Sequence, residues 1–471
     1  MRPAAAPQLE LPDIQGDILR AYGNRYARTT YVFVGVPDAA AGRAWLSGLV
    51  DRVTTAERWP RGHRPESTLN VALTCAGLAA LGVSEAVRDS FSTEFRLGMA
   101  ARADLLGDAG PSVPSGWDPG LGTGDAHVLV TINARSAEAL RAALGELESG
   151  IAAAGLSVIH TEHGKLLGGA REHFGYSDGF AQPAIEGATE DRTPGGGVPL
   201  PGGKWRPLAL GEFILGYGDE ETRNDPTGRL PSAPDAPLGR NGTYLVWRKL
   251  HQDVALFRRA LRDAAALYHG GDEEKLAAKV VGRWRDGTPL VRSPDAPDPG
   301  FNAKTPGGND FRYAADEDGA RCPIGAHIRR SNPRDALDVL IQKDPTDAGS
   351  QLSFRHRMIR RGMPYGPPLP DGVTEDDGEP RGLVFTCFVG SISRQFEAVQ
   401  VQWLNDGNIF HLGHDKDFML GDPDGTGKMT VQGDPPFFLG PQGCFVTTRG
   451  GEYLFVPGIT ALAAIADGVA G

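Results

Sequence analysis

A strand–helix–strand grammar runs through this chain twice. TTYVFVGV (29–36) is a β-rich run, and AAGRAWLSGLVDRV (40–53) follows with apolar residues at helical spacing. STLNVALT (67–74) reads as a strand, with a short helix at AGLAAL (76–81). HVLVTINA (127–134) is a strand, and SAEALRAALGELESGIAAAG (136–155) is a helix with Ser136 as N-cap and Gly155 just past its end. LSVIHTEHG (156–164) supplies the next strand. The second half repeats the order. GTYLVWRKL (242–250) is strand-like, HQDVALFRRALRDAAALY (251–268) is an amphipathic helix, and GLVFTCFVG (382–390) is a buried strand. SRQFEAVQVQWLN (393–405) reads as a helix, and CFVTTRGGEYLFVPG (444–458) as a hairpin turning at Arg449-Gly450-Gly451. This order predicts an α+β fold of two ferredoxin-like modules with antiparallel sheets, residues 1–225 and 226–471.

Long Gly/Pro-rich stretches separate these elements: 193–207, 225–242, 293–310 and 365–380. Trp205, Phe213, Phe301 and Phe311 are interspersed through this region, which argues for ordered, functional loops over free linkers. The chain carries 48 basic and 59 acidic residues, a net charge of -11. That balance disfavours nucleic acid and anionic membranes as partners. No apolar run reaches transmembrane length, and the amino terminus lacks the apolar core of a secretory signal. Cys75, Cys322, Cys387 and Cys444 form no CxxC pair, so reduced thiols in a cytoplasmic protein are expected.

Few motifs suggest chemistry. His160 and His163 have loose metal-like spacing, but in a strand they point to opposite faces. GTGKM (425–429) lacks the Ser/Thr and the first glycine of a phosphate loop. RCPIGAHIRRSNPRD (321–335) sets His327 among Arg329, Arg330 and Arg334. One imidazole among guanidiniums suits an anionic cofactor whose metal takes a nitrogen ligand, and haem fits. On local sequence alone, a satisfied histidine in a basic surface turn is the favoured reading. In LSFRHRMIRRGMPYG (352–366) an extended backbone would turn Arg360 inward while Arg357 and Arg361 stay solvated. GYSDG (175–179) is either a plain turn or a loop lying close to a flat ligand. GxxDG recurs as GDPDG (421–425).

Taken in order, IQGDIL (14–19), EFRLGMAARADLLGDAGPS (94–112), REHFGYSDGFAQPAIEG (171–187), GEFILGYGDE (211–220), GAHIRRSNPRD, MIRRGMPYG and GLVFTCFVGSISRQFEAVQVQWLN resemble the dye-decolorizing peroxidases. The likeness is strongest to the longer bacterial branch without a secretion signal. The resemblance implies haem b held between the two modules, with the GxxDG loop on the first module and the proximal histidine and distal arginine on the second. It implies Asp178 as the distal acid/base, Arg360 as the distal charge stabiliser with Arg361 as fallback, and His327 as the iron ligand. Gly175, Tyr176, Ser177, Gly179 and Phe180 would lie on the haem face, and Asp424 would be a turn residue. Arg334 would hold a propionate, and Leu383 and Phe385 would line the distal pocket. The carboxylate behind His327 would be Asp417, with Asp415 second, although Phe418 stands where the family commonly has proline. Hydrogen peroxide and bulky organic reductants, dyes and phenolics, would be the substrates, with surface Tyr or Trp relaying electrons. A haem carrier, a scaffold without haem, and a wider oxidase repertoire are the competing readings. Oligomeric state is left open.

Overall fold

The computed structural model describes residues 9–22, 25–188, 194–200, 204–224, 238–305, 308–337, 351–421, 427–440 and 443–469. Four strands form the first half: β1 (Arg28–Gly35), β2 (Ser67–Leu73), β3 (Val128–Ala134) and β4 (Ser157–Lys165). They lie in the order β2-β3-β1-β4, every pair antiparallel. Helix α1 (Gly16–Leu19) precedes them, α2 (Ala39–Val50) joins β1 to β2, and α3 (Ala137–Ala153) joins β3 to β4. Ser136 caps α3 through the Ala139 N–H, and Gly155 follows it at φ 68.

The second half uses the same plan. Its strands are β5 (Thr243–Gln252), β6 (Met363–Tyr365), β7 (Gly382–Val389) and β8 (Val446–Val456), in the order β8-β5-β7-β6. Helix α4 (Val254–Ala265) follows β5, capped by Asp253 rather than starting at His251, because β5 runs on to Gln252. Each half is therefore a ferredoxin-like unit with its first strand between its third and fourth. The halves do not keep separate sheets. Phe455 of β8 pairs with Leu73 of β2, and Gly164 of β4 pairs with Tyr365 of β6. Those two seams close eight strands into a barrel, which removes exposed strand edges. The predicted boundary at 225/226 falls outside the described residues.

Side chains alternate along each strand. Phe33, Leu129, Trp247, Val384 and Leu454 point into the barrel, while Val32, Val130, Val246 and Phe455 pack outward against the helices. The two faces of β7 are split in the same way: Val384 and Phe388 fill the barrel, and Leu383 and Phe385 face a cavity outside it.

Two expectations change. Residues 444–458 do not fold back as a hairpin. β8 runs straight through Arg449-Gly450-Gly451, with a register shift between Thr448 and Gly450. The glycines serve close approach rather than a turn: a Cβ at Gly450 would meet Leu121 at 2.2 Å, and one at Gly451 would meet Met99 at 2.1 Å. The helix over 393–405 is wound as two π-helical segments, Ile392–Glu397 and Val399–Leu404. Loop residue Arg102 grips it through a bidentate pair with Glu397 at 2.5 and 2.6 Å.

Burial leaves a pH signature. Glu452 on β8 is 8% exposed, accepts the Gly122 N–H at 2.8 Å, and is pushed up to about 7 by desolvation. The folded state thus favours its protonated form. That contribution is complete below the unfolded value of about 4.5 and is lost as pH rises through 7. Glu452→Gln keeps the acceptor for Gly122 and removes the titration. Its unfolding free energy, from urea titrations, is expected to exceed wild type by up to roughly 3 kcal/mol at pH 8 and to match it near pH 4.

Candidate active site

The cavity outside β7 measures about 310 Å³ and draws walls from both halves of the chain. Its floor is the outward face of the second-half strands, with Arg248 and Leu250 on β5, Leu383 and Phe385 on β7, and Val446 and Thr448 on β8. Leu106, Asp108 and Ser112 reach in from the first half. So does the segment 172–181, which lies before the predicted boundary. Its Phe174 and Tyr176 nevertheless pack with Val254, Phe257 and Ala277 of the second half.

One wall carries His327, the first residue of the short helix α5 (His327–Ser331). Its Nδ1 lies 3.0 Å from Asp417 Oδ2. Asp417 is fully buried, and burial alone would raise its carboxyl. The His327 charge and hydrogen bond, Arg330 and the Leu420 N–H outweigh that and hold it below the usual carboxylate value. Asp417 also accepts the Met419 N–H at 3.0 Å. The pairing engages Nδ1 and leaves Nε2 as the nitrogen that could bind a ligand. Asp415, the second choice, instead lies 3.6 Å from Lys428. Phe418, in the place of the expected proline, is buried between Phe445 and its neighbours without disturbing Asp417.

The same cavity holds Asp178 and Arg360, joined by Arg360 Nη2 to Asp178 Oδ1 at 3.2 Å. Arg360 is the largest influence on Asp178 and lowers its carboxyl below the ordinary value. Desolvation opposes, and the Gly179 N–H, His327 and Arg283 assist. His327 also feels the charges of both residues. The carboxylate is accessible, with 66% of the side chain open, so a small molecule can reach it.

Several residues to which the sequence assigned no role fix this geometry. The Glu172 carboxylate accepts the N–H groups of Phe174 (2.8 Å) and Tyr176 (3.0 Å) and the Gln252 amide (2.7 Å). Arg285 donates to Phe174 O at 2.6 Å and accepts the Ser177 N–H. Gln182 spans the Arg360 backbone, donating to its carbonyl at 3.0 Å and accepting its N–H at 3.2 Å. Glu172 and Gln182 lie within REHFGYSDGFAQPAIEG, which carries the family resemblance, but nothing in that stretch marked them as holding the loop. Arg285 lies far along the chain and gave no signal.

Other expected contacts divide. Tyr176, Ser177, Phe180, Arg334, Leu383 and Phe385 line the cavity. Gly175 and Gly179 do not. Gly175 has φ 97, and a Cβ there would meet Arg285 at 2.7 Å, so it makes room for an arginine rather than a flat ligand. Arg334 lines the cavity while donating to Asn309 O at 2.9 Å and Phe311 O at 3.0 Å. Arg329 and Arg330 do not serve a ligand. Both are buried and spent on carbonyls, of Asp316 and Cys322 and of Trp403 and Asp415 respectively. Arg357 and Arg361 are not solvated either, because each caps backbone carbonyls: Arg357 that of Ala181, Arg361 those of Asp17 and Ile18. Arg361 therefore points away from the cavity. His160 and His163 do diverge: His163 bonds Thr30, and His160 stands near Glu162 and Asp118. The Lys249 ammonium bridges those two carboxylates and fills the place a cation would take. Asp424 and the start of GTGKM fall outside the described residues.

Residues 13–166 match the model of the DyP dimeric alpha+beta barrel domain. The chain is 30% identical to a dye-decolorizing peroxidase of Mycena epipterygia, across 97% of this chain and 87% of that protein. It is 32% identical to the multifunctional dye peroxidase DyP2 of an Amycolatopsis species, across 96% and 95%. The chain belongs to the dye-decolorizing peroxidase family. Its fold is likewise similar to that of the Auricularia auricula-judae DyP-type peroxidase, at TM-score 0.80 and 26% identity over 98% of this chain and all of that one. An ancestral D-type dye-decolorizing peroxidase gives 0.78 and 31%, over 97% and 99%. This peroxidase is thus a haem-dependent oxidoreductase. Its cavity suits that group: an imidazole with a buried carboxylate behind it, apolar walls at Leu383 and Phe385, and cationic Arg334 and Arg283. Arg248 adds a buried guanidinium whose Nε and Nη1 have no protein partner among the described residues.

Proposed function

We propose that this peroxidase reduces hydrogen peroxide to water with haem b as its cofactor. It oxidises bulky organic donors, dyes and phenolics, in one-electron steps. The observation that carries the proposal is one cavity lined by His327, backed by the buried Asp417, and by the Asp178–Arg360 pair. A dye-decolorizing peroxidase of similar fold has been solved with 2,6-dimethoxyphenol, which supports the phenolic donors.

When bound, the haem supplies the iron that takes peroxide and stores its oxidising equivalents. His327 Nε2 would hold it. Asp417 draws on the Nδ1 proton and makes the imidazole a stronger donor. Arg334 would hold a propionate. Asp178, ionised because Arg360 stands beside it, takes the proton from the near peroxide oxygen at its carboxylate. It returns that proton to the far oxygen, so that water departs. The Arg360 guanidinium stabilises negative charge on the departing oxygen. Leu383 and Phe385 keep bulky donors from the reacting atoms, so such donors give up electrons at surface Tyr or Trp.

The wider setting is also a proposal. The thiols of Cys75, Cys322 and Cys387 support a reducing cytoplasm. No helix among the described residues is long and apolar enough to cross a membrane. The Amycolatopsis relative, matched over 95% of its length, supports placement with the longer bacterial branch. The repeated strand order supports two modules, 1–225 and 226–471, and the net charge of -11 supports neither nucleic acid nor an anionic membrane as partner.

His327→Ala tests the iron ligand. The haem-loaded wild type is expected to show the absorption and spin-resonance signature of an imidazole-ligated iron. The variant should lose that signature or lose the haem. An unchanged signature removes His327 from the site.

A further inference from the structure

We propose that a second pocket, between α1 and the loop 54–64, is a docking site for planar aromatic anions. It measures about 320 Å³, and none of its lining residues lines the haem cavity. Arg20, Tyr22, Tyr26, Arg58, Trp59 and Arg64 give it its chemistry, over a floor of leucine and alanine.

The aromatic wall is built and held. The Tyr22 and Trp59 rings stack at 5.9 Å with 13° between planes, and Tyr26 tilts against both at 5.4 and 6.0 Å. Both tyrosine hydroxyls are already used, on Asn70 Oδ1 and Pro65 O. Recognition there must therefore use ring faces. Arg20 is pinned by two hydrogen bonds to Ala56 O, at 3.0 and 2.8 Å, with its guanidinium 5.0 Å from the Trp59 ring centroid.

Charge selects the ligand. Among the described residues three arginines line the pocket and no carboxylate does, in a chain whose net charge is -11. Glu57 acts on Arg20 electrostatically but does not line the pocket. Like charges gathered around a partly apolar pocket favour an anion between them. Guanidiniums offer the planar paired donors that a sulfonate or carboxylate accepts. The volume lies at the lower end of ligand pockets, which suits a two-ring aromatic acid rather than a large dye.

Binding here needs neither peroxide nor turnover, so it is separable from the peroxidase reaction. The test is calorimetric titration of the haem-loaded full chain, without peroxide, with naphthalene-2-sulfonate and its neutral counterpart naphthalene-2-sulfonamide. One site is expected, at least tenfold tighter for the sulfonate and weakened by salt. Arg64→Glu, at an exposed position, should lower sulfonate affinity at least tenfold while the haem spectrum stays as in wild type. Trp59→Leu should weaken both ligands. Equal affinity for the two ligands overturns the proposal. So does sulfonate binding that Arg64→Glu leaves unchanged, or no binding at millimolar ligand.

Discussion

Replacing Asp178 with asparagine is expected to slow the peroxide reaction by about 10²–10⁴-fold, the usual contribution of a positioned acid–base group. Asparagine keeps the size of the side chain and a hydrogen-bonding partner for Arg360, so the cavity and the haem site should persist. What it loses is the ability to accept a proton from one peroxide oxygen and return it to the other. Peroxide-limited turnover of a dye donor checks this, with haem content as the control for folding. The rigidity around Asp178 sharpens the expectation. Glu172 and Arg285 hold the segment at several backbone atoms and Gln182 ties it to the Arg360 backbone, so a substitute carboxylate cannot easily move into its place.

Replacing Arg360 with methionine is expected to cost about 10²–10³-fold in the same step, the range seen when one preorganised charge donor is removed. It should also move the pH profile. Arg360 is the largest cause of the depressed Asp178 carboxyl. Without it, Asp178 takes up a proton at higher pH. Activity in the variant should then begin to fall at a higher pH on acidification than in wild type. A steady-state profile from pH 3 to 7 reads both effects. A loss of rate with an unmoved acidic limb would mean that another group sets it.

The fold was legible where periodicity is long. The strands at 29–36, 67–74, 127–134 and 382–390 and the helix at 136–155 are uninterrupted patterns, and the structure keeps them nearly to the residue. It was opaque where elements are short or where a glycine serves a distant neighbour. β6 has three residues, one of them Pro364, and no alternation pattern can show in so few. Gly450 and Gly451 looked like a turn because the Leu121 and Met99 side chains that require them lie in the other half of the chain. Closure of the barrel rests on two single-residue seams, Phe455 with Leu73 and Gly164 with Tyr365, which no local pattern announces.

The candidate site divides in the same way. Asp178, His327, Arg360 and Asp417 were marked by family resemblance, and the structure brings the first three to one cavity from separate stretches, with Asp417 buried behind His327. The arginines around His327 and Arg360 look alike in sequence. Only the fold shows that Arg329, Arg330 and Arg361 end on backbone carbonyls away from the cavity, while Arg360 and Arg334, the latter held by the Asn309 and Phe311 carbonyls, line it. Composition cannot make that distinction, because it depends on which carbonyls the rest of the chain leaves within reach.

One stopped-flow series decides whether Asp178 is the proton carrier of a haem peroxidase. Haem-loaded wild type and Asp178→Asn are each mixed with one equivalent of hydrogen peroxide at pH 4, and the haem absorption is followed through a single turnover. A rapid spectral change in wild type and a change slower by two orders of magnitude or more in the variant is the predicted result. Equal rates would contradict the role given to Asp178. A wild-type protein that takes up no haem would contradict the peroxidase reading itself.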